Sequence, residues 1–373
     1  MKKRYLLLML LSLYISNSFA QEHYLLVGTY TGGKSEGIYV YKFNSENAGF
    51  SEVSHVKSSN PSFLAISPDE KYVYAANENG NKGNGGEVSA FSFDKENGTL
   101  NFINSQSTQG DHPCYVETDK TGKWVFAANY STGSLVVYPL NTDQGLAAAS
   151  THIMHSGTGP NKSRQDKPHV HCTMIAPDNN WLLVPDLGTD KVMIYSFDPT
   201  SGRLSPGQQA FARSQPGAGP RHLSFHPNGK YVYLIEELTG HVVTYQYKDG
   251  RLKFLYRNSS LPRGQQGYAG SADIHVSPDG NFLYASNRGD FNNIATFRLD
   301  KKGKPSIVGF VPSEGKGPRN FNFDPSGNYL LVGNQDSDEI VIFQRDKKTG
   351  LLTDSKKRIA VGKPVCIKWI SIK

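Results

Sequence analysis

A unit of about fifty residues, restated along the chain, limits the possible folds more than any other feature of this sequence. Each copy opens on a proline or its equivalent and runs through an alternating strand into Ser-Pro-Asp-Gly-like turn residues. It then continues into a β-branched and aromatic strand that ends in Asn, Asp or Glu. Pro61 to Asn77 and Pro220 to Glu236 match position for position, and Ser271 to Asn287 and Pro318 to Asn334 keep the same frame. The end-of-strand positions are Thr29, Asn77, Asn129, Asp186, Glu236, Asn287 and Asn334, spaced 47 to 57 residues apart, which makes seven copies. The short Pro/Asp/Gly turns predict antiparallel hairpins. A third strand follows, as in Val88 to Phe93 or Val192 to Phe197, then a Gly turn and a fourth strand beginning near Leu100, Leu204 or Leu252. Seven units of four antiparallel strands predict an all-β, seven-bladed β-propeller.

The chain ends fit a ring. Tyr24 starts at the second-strand position of the first unit, and Pro364 to Ile370 is a first strand with no second strand after it. The two ends are expected to complete one blade together, so that the C-terminal strand closes the first blade and no sheet edge is left open. No segment has a helical period and no linker divides the chain, so residues 21–373 are read as one domain.

Residues 1–20 are set apart from the fold. Lys2, Lys3 and Arg4 precede an apolar run from Leu6 to Ile15, and Ser18, Phe19 and Ala20 offer a small-residue cleavage site. This is the pattern of a secretory signal peptide and is too short for a membrane span, which predicts a periplasmic or secreted protein with no membrane insertion. Without Lys2, Lys3 and Arg4 the formal charge of +7 falls to +4. No Lys/Arg block suited to phosphate backbones appears, so nucleic acid is not expected as a partner, and the mild surplus suits a small anionic ligand. Cys114, Cys172 and Cys366 are odd in number and lack metal-ligand spacing. They are read as buried small hydrophobes, with a single disulfide as the alternative.

Within a blade, the start of the first strand and the end of the second lie at the same end, so seven such pairs ring one mouth of the channel. The residues after the repeat start are Ser62, Cys114, His171, Arg221, Ala272, Arg319 and Val365. Those after the second-strand end are Tyr30, Glu78, Tyr130, Leu187, Glu237, Arg288 and Gln335. Titratable groups therefore concentrate in an arc over blades four to six. Blade four also carries two extra residues between Pro168 and Pro177, which add His169 beside His171 and place both imidazoles on one face if the strand is regular. The longest connection, Leu140 to Lys167, ends in His155, Arg164 and Asp166 and could lie over the opening. Two histidines at i and i+2 could bind zinc only with a third ligand, for which Asp166 and Asp186 are the candidates nearby in sequence, and metal is not the expected reading. Arg221 and Arg319 could instead brace turns, and Glu236 with Glu237 could be a solvated edge. Asn77, Asn129, Asn287 and Asn334 are read as backbone-bonding residues, and His112, His222, His226 and His275 as packing or turn residues. There is no H-E-x-x-H or G-x-G-x-x-G motif and no G-x-S-x-G nucleophile elbow; Gly33 to Gly37 fits that string, but no helix-period segment follows it for an elbow to open. What remains is His/Glu acid–base chemistry beside arginines, which suits an anionic substrate.

Several motifs occur in order along the chain: Gly28 to Thr31, His112 to Val116, Ala128 to Tyr130, Arg164 with Gln165, Pro168 to His171, Gly219 to His222, Ser286 to Gly289 and Gly317 to Arg319. Through these the chain resembles the seven-bladed propeller lactonase family, which includes bacterial 6-phosphogluconolactonases and is related to fungal carboxymuconate lactonizing enzymes. The resemblance covers about residues 24–371 and implies hydrolysis of a sugar δ-lactone to its acid without a cofactor; a small anionic sugar lactone as partner, a monomer and no metal are expected. It also implies a His, Arg, Glu, Arg constellation, carried here onto His171, Arg221, Glu237 and Arg288. His169 and Glu236 stand as alternatives to their neighbours in the catalytic roles, with Arg319 and Arg164 as further substrate-binding candidates. A non-enzymatic extracytoplasmic propeller and a muconate-type cycloisomerase are the competing functions.

Overall fold

The structure, a computed structural model, describes residues 22–81 and 85–372. The expected signal peptide lies outside the described residues. Seven four-stranded antiparallel sheets are arranged as a propeller. The C-terminal strand, Pro364–Ser371, pairs with Glu22–Thr29 and becomes the innermost strand of blade one, so the first and last segments close the ring as the repeat predicts. Third and fourth strands also fall where the repeat puts them, for example Glu87–Asp94 with Thr99–Ser107 and Lys191–Phe197 with Leu204–Arg213.

Three recurring contacts explain why the repeat has its composition. The Asn that ends the second strand donates its amide to a carbonyl in the segment entering the blade: Asn77 to Ser59 at 2.7 Å, Asn129 to Thr108 at 3.0 Å, Asn287 to Ser260 at 2.8 Å and Asn334 to Ser313 at 2.9 Å. Three of these carbonyls, on Thr108, Ser260 and Ser313, belong to fully buried residues and would otherwise lack a partner, which costs about 1–3 kcal/mol each. Aromatic residues join neighbouring blades. Tyr24, Tyr74, Trp124, Tyr233, Tyr284 and Tyr329 donate to carbonyls of Lys95, Gln144, Pro199, Gly303, Gly350 and Glu46 in the next blade, around six of the seven junctions. At the seventh junction, Gly250 sits against the Trp181 ring, where a Cβ would come within 2.2 Å.

The third contact is a turn. The residue before the innermost strand adopts the left-handed conformation at Asn60, His112, Gly219, Gly270, Gly317 and Lys363, which turns the chain inward. Immediately afterwards the ladder shifts register, between Pro61/Phe63, Pro113/Tyr115, Pro220/His222 and Pro318/Asn320. Two of these bulges aim Cys114 and Arg319 into a pocket at the channel mouth, and a third turns Arg221 toward Glu237. Blade four breaks the pattern at Pro168 and His169. Its innermost strand shrinks to Met174–Ile175, with an isolated bridge between Val170 and Asp186.

Candidate active site

The bulge positions and the residues just beyond the second strands converge on a pocket of about 210 Å³ at one mouth of the channel. It is lined by Glu78, Cys114, Tyr130, Arg164, His171, Glu237, Arg288 and Arg319. Seven of these eight come from the two aligned columns of the repeat. The pocket reaches further round the ring than the expected arc of blades four to six, because Glu78 comes from blade two and Arg319 from blade seven.

Glu237 is at the centre. Its Oε1 accepts from Arg164 at 2.6 Å and from the Tyr268 hydroxyl at 3.4 Å; its Oε2 accepts from Arg221 Nε at 2.9 Å and faces Arg288 at 3.3 Å. Burial pushes the carboxyl pKa up, but Arg288, Arg221 and Arg164 outweigh it and bring it down to about 2. Glu237 is therefore an anion at any working pH and a weak proton acceptor. On the other side of the pocket, Arg319 lies over the Tyr30 ring and 3.6 Å from Glu78, which also accepts the Tyr30 hydroxyl at 2.7 Å. Four guanidiniums thus meet two carboxylates, a surplus that favours an anionic guest.

His171 lines the pocket wall. Its Nδ1 lies 3.6 Å from Cys114 Sγ, and its Nε2 has no hydrogen-bond partner among the described residues. Burial, reinforced by Arg221, His222 and Arg319, holds its pKa well below the usual imidazole range. The ring is neutral at pH 7 and can accept a proton. The neighbouring Cys114 thiol is pushed far up by burial, so no thiolate nucleophile forms there. All three cysteines are buried and free.

Four sequence expectations need correction. His169 does not share a face with His171, because the strand is irregular there. Its ring stacks on Tyr130 at 4.5 Å and its Nδ1 meets the Tyr130 carbonyl at 3.0 Å, while His171 meets the same ring edge-on. Glu236 is the repeat's end-of-strand residue and points away from the pocket; it is fully buried and accepts from Arg257 at 2.9 Å and Thr239 at 3.2 Å. Arg221 is 1% exposed and stands behind Glu237 rather than on the pocket surface. His222 and His275 are more than packing residues, since both bond Asp273 inside the channel.

The long connection does supply one group to the mouth, Arg164, which also donates to the Tyr130 hydroxyl at 3.1 Å and the Tyr268 hydroxyl at 2.7 Å. Part of that connection, Thr151–Met154, is blade three's outermost strand, and His155 is buried against Asp186 at 2.9 Å. Sequence reasoning passed over Glu78, Cys114 and Tyr130 as site residues, although the aligned columns contain all three. Tyr268 had no such signal, because it lies in a connection outside the repeat. Its backbone packs against Gly289, at φ +52°, where a Cβ would fall 2.1 Å from the Tyr268 carbonyl oxygen.

The family model for lactonases of the seven-bladed β-propeller type matches residues 24–369. The chain is 37% identical to a 6-phosphogluconolactonase of Bacillus subtilis over 92% of its length and 97% of that protein. It is 39% identical to a 6-phosphogluconolactonase of Formosa agariphila, over 91% and 97%. The structure of the periplasmic gluconolactonase of Pseudomonas aeruginosa superposes with a TM-score of 0.90 at 37% identity, covering 94% of this chain and all of that one.

Proposed function

Because the chain belongs to the seven-bladed β-propeller lactonase family, we propose that it hydrolyses a sugar δ-lactone of the gluconolactone type to its aldonic acid, with His171 as the proton-transfer residue. The observation that carries this reading is a neutral imidazole facing a pocket rimmed by arginines. His171 takes a proton from water as the water oxygen attacks the lactone carbonyl. Arg288 and Arg164, with Arg319 across the pocket, stabilise the negative charge that develops on the carbonyl oxygen. Collapse of the tetrahedral adduct breaks the bond to the ring oxygen, which takes the proton back from His171. An imidazole held at low pKa is a strong acid once protonated, which suits the second step. Glu237 keeps the arginines fixed and charged rather than acting as the base.

The same arginines can hold a substrate phosphate or carboxylate. Export by the segment from Lys2 to Ala20 would remove the enzyme from cytosolic sugar phosphates, and the resemblance to a periplasmic gluconolactonase supports an unphosphorylated lactone as the physiological substrate.

The test is steady-state hydrolysis in a pH-stat of gluconolactone and 6-phosphogluconolactone, with carboxymuconate as the cycloisomerase control. A higher kcat/KM on gluconolactone is expected. Rates no faster than spontaneous opening of either lactone would overturn the reading.

A further inference from the structure

Several buried polar groups that the mechanism leaves unused form one connected chain through the channel. Asp273, on blade six's innermost strand Ser271–Val276, is 3% exposed and accepts on both oxygens. Its Oδ1 faces His222 Nδ1 at 2.9 Å and accepts from the Ile274 backbone N–H at 3.0 Å. Its Oδ2 accepts from His275 Nε2 at 3.0 Å, from the Asn320 amide and from the Phe321 backbone N–H at 3.3 Å. His222 Nε2 faces Arg221 at 3.3 Å, and Arg221 continues to Glu237 at 2.9 Å and to the Ala272 carbonyl.

The proton positions in this chain follow from donor chemistry alone. A guanidinium has only donors, so the His222 Nε2 facing it must be the lone-pair nitrogen. A carboxylate has only acceptors, so Nδ1 must carry the hydrogen. The two neighbours impose the same tautomer from opposite sides.

We propose that His222 and Asp273 are positioning residues of the lactonase site: Asp273 fixes the Nδ1–H tautomer of His222, whose Nε2 holds Arg221 in register with Glu237. The proposal rests on the functional reading above for its kinetic consequences, but the tautomer itself does not depend on that reading. Neither residue touches the pocket that holds the substrate.

The informative variant is Asp273→Asn, which keeps the shape and reverses the chemistry. Three donors converge on the Oδ2 position and two on Oδ1, so the new amide keeps its oxygen at Oδ2 and turns its NH₂ toward His222. His222 must then offer a lone pair at Nδ1 and a hydrogen at Nε2, which opposes the Arg221 N–H. A misplaced arginine should cost about tenfold to a hundredfold in kcat, with KM changed much less.

His222→Gln in that background should recover activity. A glutamine amide can present its oxygen to Arg221 whatever occupies position 273. A purely packing role predicts the opposite, a double variant slower than either single one.

Histidine ¹⁵N spectra of the whole protein give an independent reading. The signal lost in His222→Gln should show a protonated Nδ1 and bare Nε2 in the wild type, and the reverse in Asp273→Asn. An Nε2-protonated His222 in the wild type, or a double variant no faster than Asp273→Asn, would sink the proposal. A wild type without lactonase activity would count against the functional reading alone, and the wild-type spectrum would still decide the tautomer.

Discussion

Each mouth of the channel holds a glutamate, buried Glu237 at one and half-buried Glu117 at the other, and the two behave in opposite ways. At the site mouth, the guanidiniums of Arg288, Arg221 and Arg164 overcome burial and pull Glu237 down to about 2. At the far mouth, a cavity of about 300 Å³ receives residues from all seven innermost strands, and Glu117 accepts there from the Ile175 backbone N–H. Burial raises Glu117 to about 7, only partly offset by Lys120, Ile175 and Lys368. The difference comes from the backbone. At the site mouth the bulges and the segments beyond the second strands can place long cationic side chains around one carboxylate. At the far mouth Lys120 and Lys368 also line the cavity, but among the described residues neither forms an ion pair with Glu117.

The largest effect is expected from Glu237→Gln. It leaves three guanidiniums facing each other and should cost about 3 kcal/mol of stability by denaturant melt and about a hundredfold in kcat by steady-state assay. Because its folded pKa lies below the unfolded one, the Glu237 contribution is present above the ordinary carboxylate range and is lost as pH falls through about 2. Wild-type activity in the variant would show that the arginine cage is ornamental.

Next in size is His171→Asn. Loss of proton transfer should lower kcat by about 10² to 10⁴. The wild-type kcat should stay level from neutrality down past pH 6.5 and fall only at more acid pH, since the His171 pKa is depressed. A wild-type limb centred near 6.5 would remove His171 from the role. For stability the sign is the same as for Glu237: the buried neutral imidazole is free of cost above the unfolded pKa and becomes costly as pH drops below it.

Glu117→Gln sharpens the contrast from the other side. Its folded pKa is raised, so ionisation weakens the wild type as pH climbs from the ordinary carboxylate range through about 7. The variant should melt at a higher temperature than the wild type at pH 8 and converge with it at pH 4, with lactone turnover unchanged.

The smallest effect belongs to Glu236→Gln, one residue from Glu237 but outside the pocket. Turnover should stay within about twofold, since Glu236 bonds Arg257 and Thr239 and does not line the pocket.

Much of this was legible in the sequence. The repeat contains its own instructions: a terminal Asn for the entering carbonyl in four blades, an aromatic donor for the next blade's turn at six junctions, and a left-handed residue before six of the seven inner strands. All of these contacts recur, so one copy predicts the rest. The two columns at the mouth were legible for the same reason, and they already contained Glu78, Tyr130, Glu237, Arg288 and Arg319. What resisted was phase and reach. Glu236 and Glu237 differ by one residue, and in a strand that step turns the side chain to the opposite face. His169 and His171 were paired by a regularity that the two-residue insertion abolishes. Arg164 and Tyr268 come from connections whose paths no period describes.

The sequence by itself determined the number of blades, the closure of the ring by its two ends, and which end of each blade meets the channel mouth. Those properties follow from short-range periodicity and local turns. Only the tertiary structure decided that Glu237 is the caged anion, that Arg221 stands behind it, and that His222 and Asp273 continue the network inward. Burial and charge are set by groups brought together from four or more blades, and no local stretch of chain encodes their mutual distance.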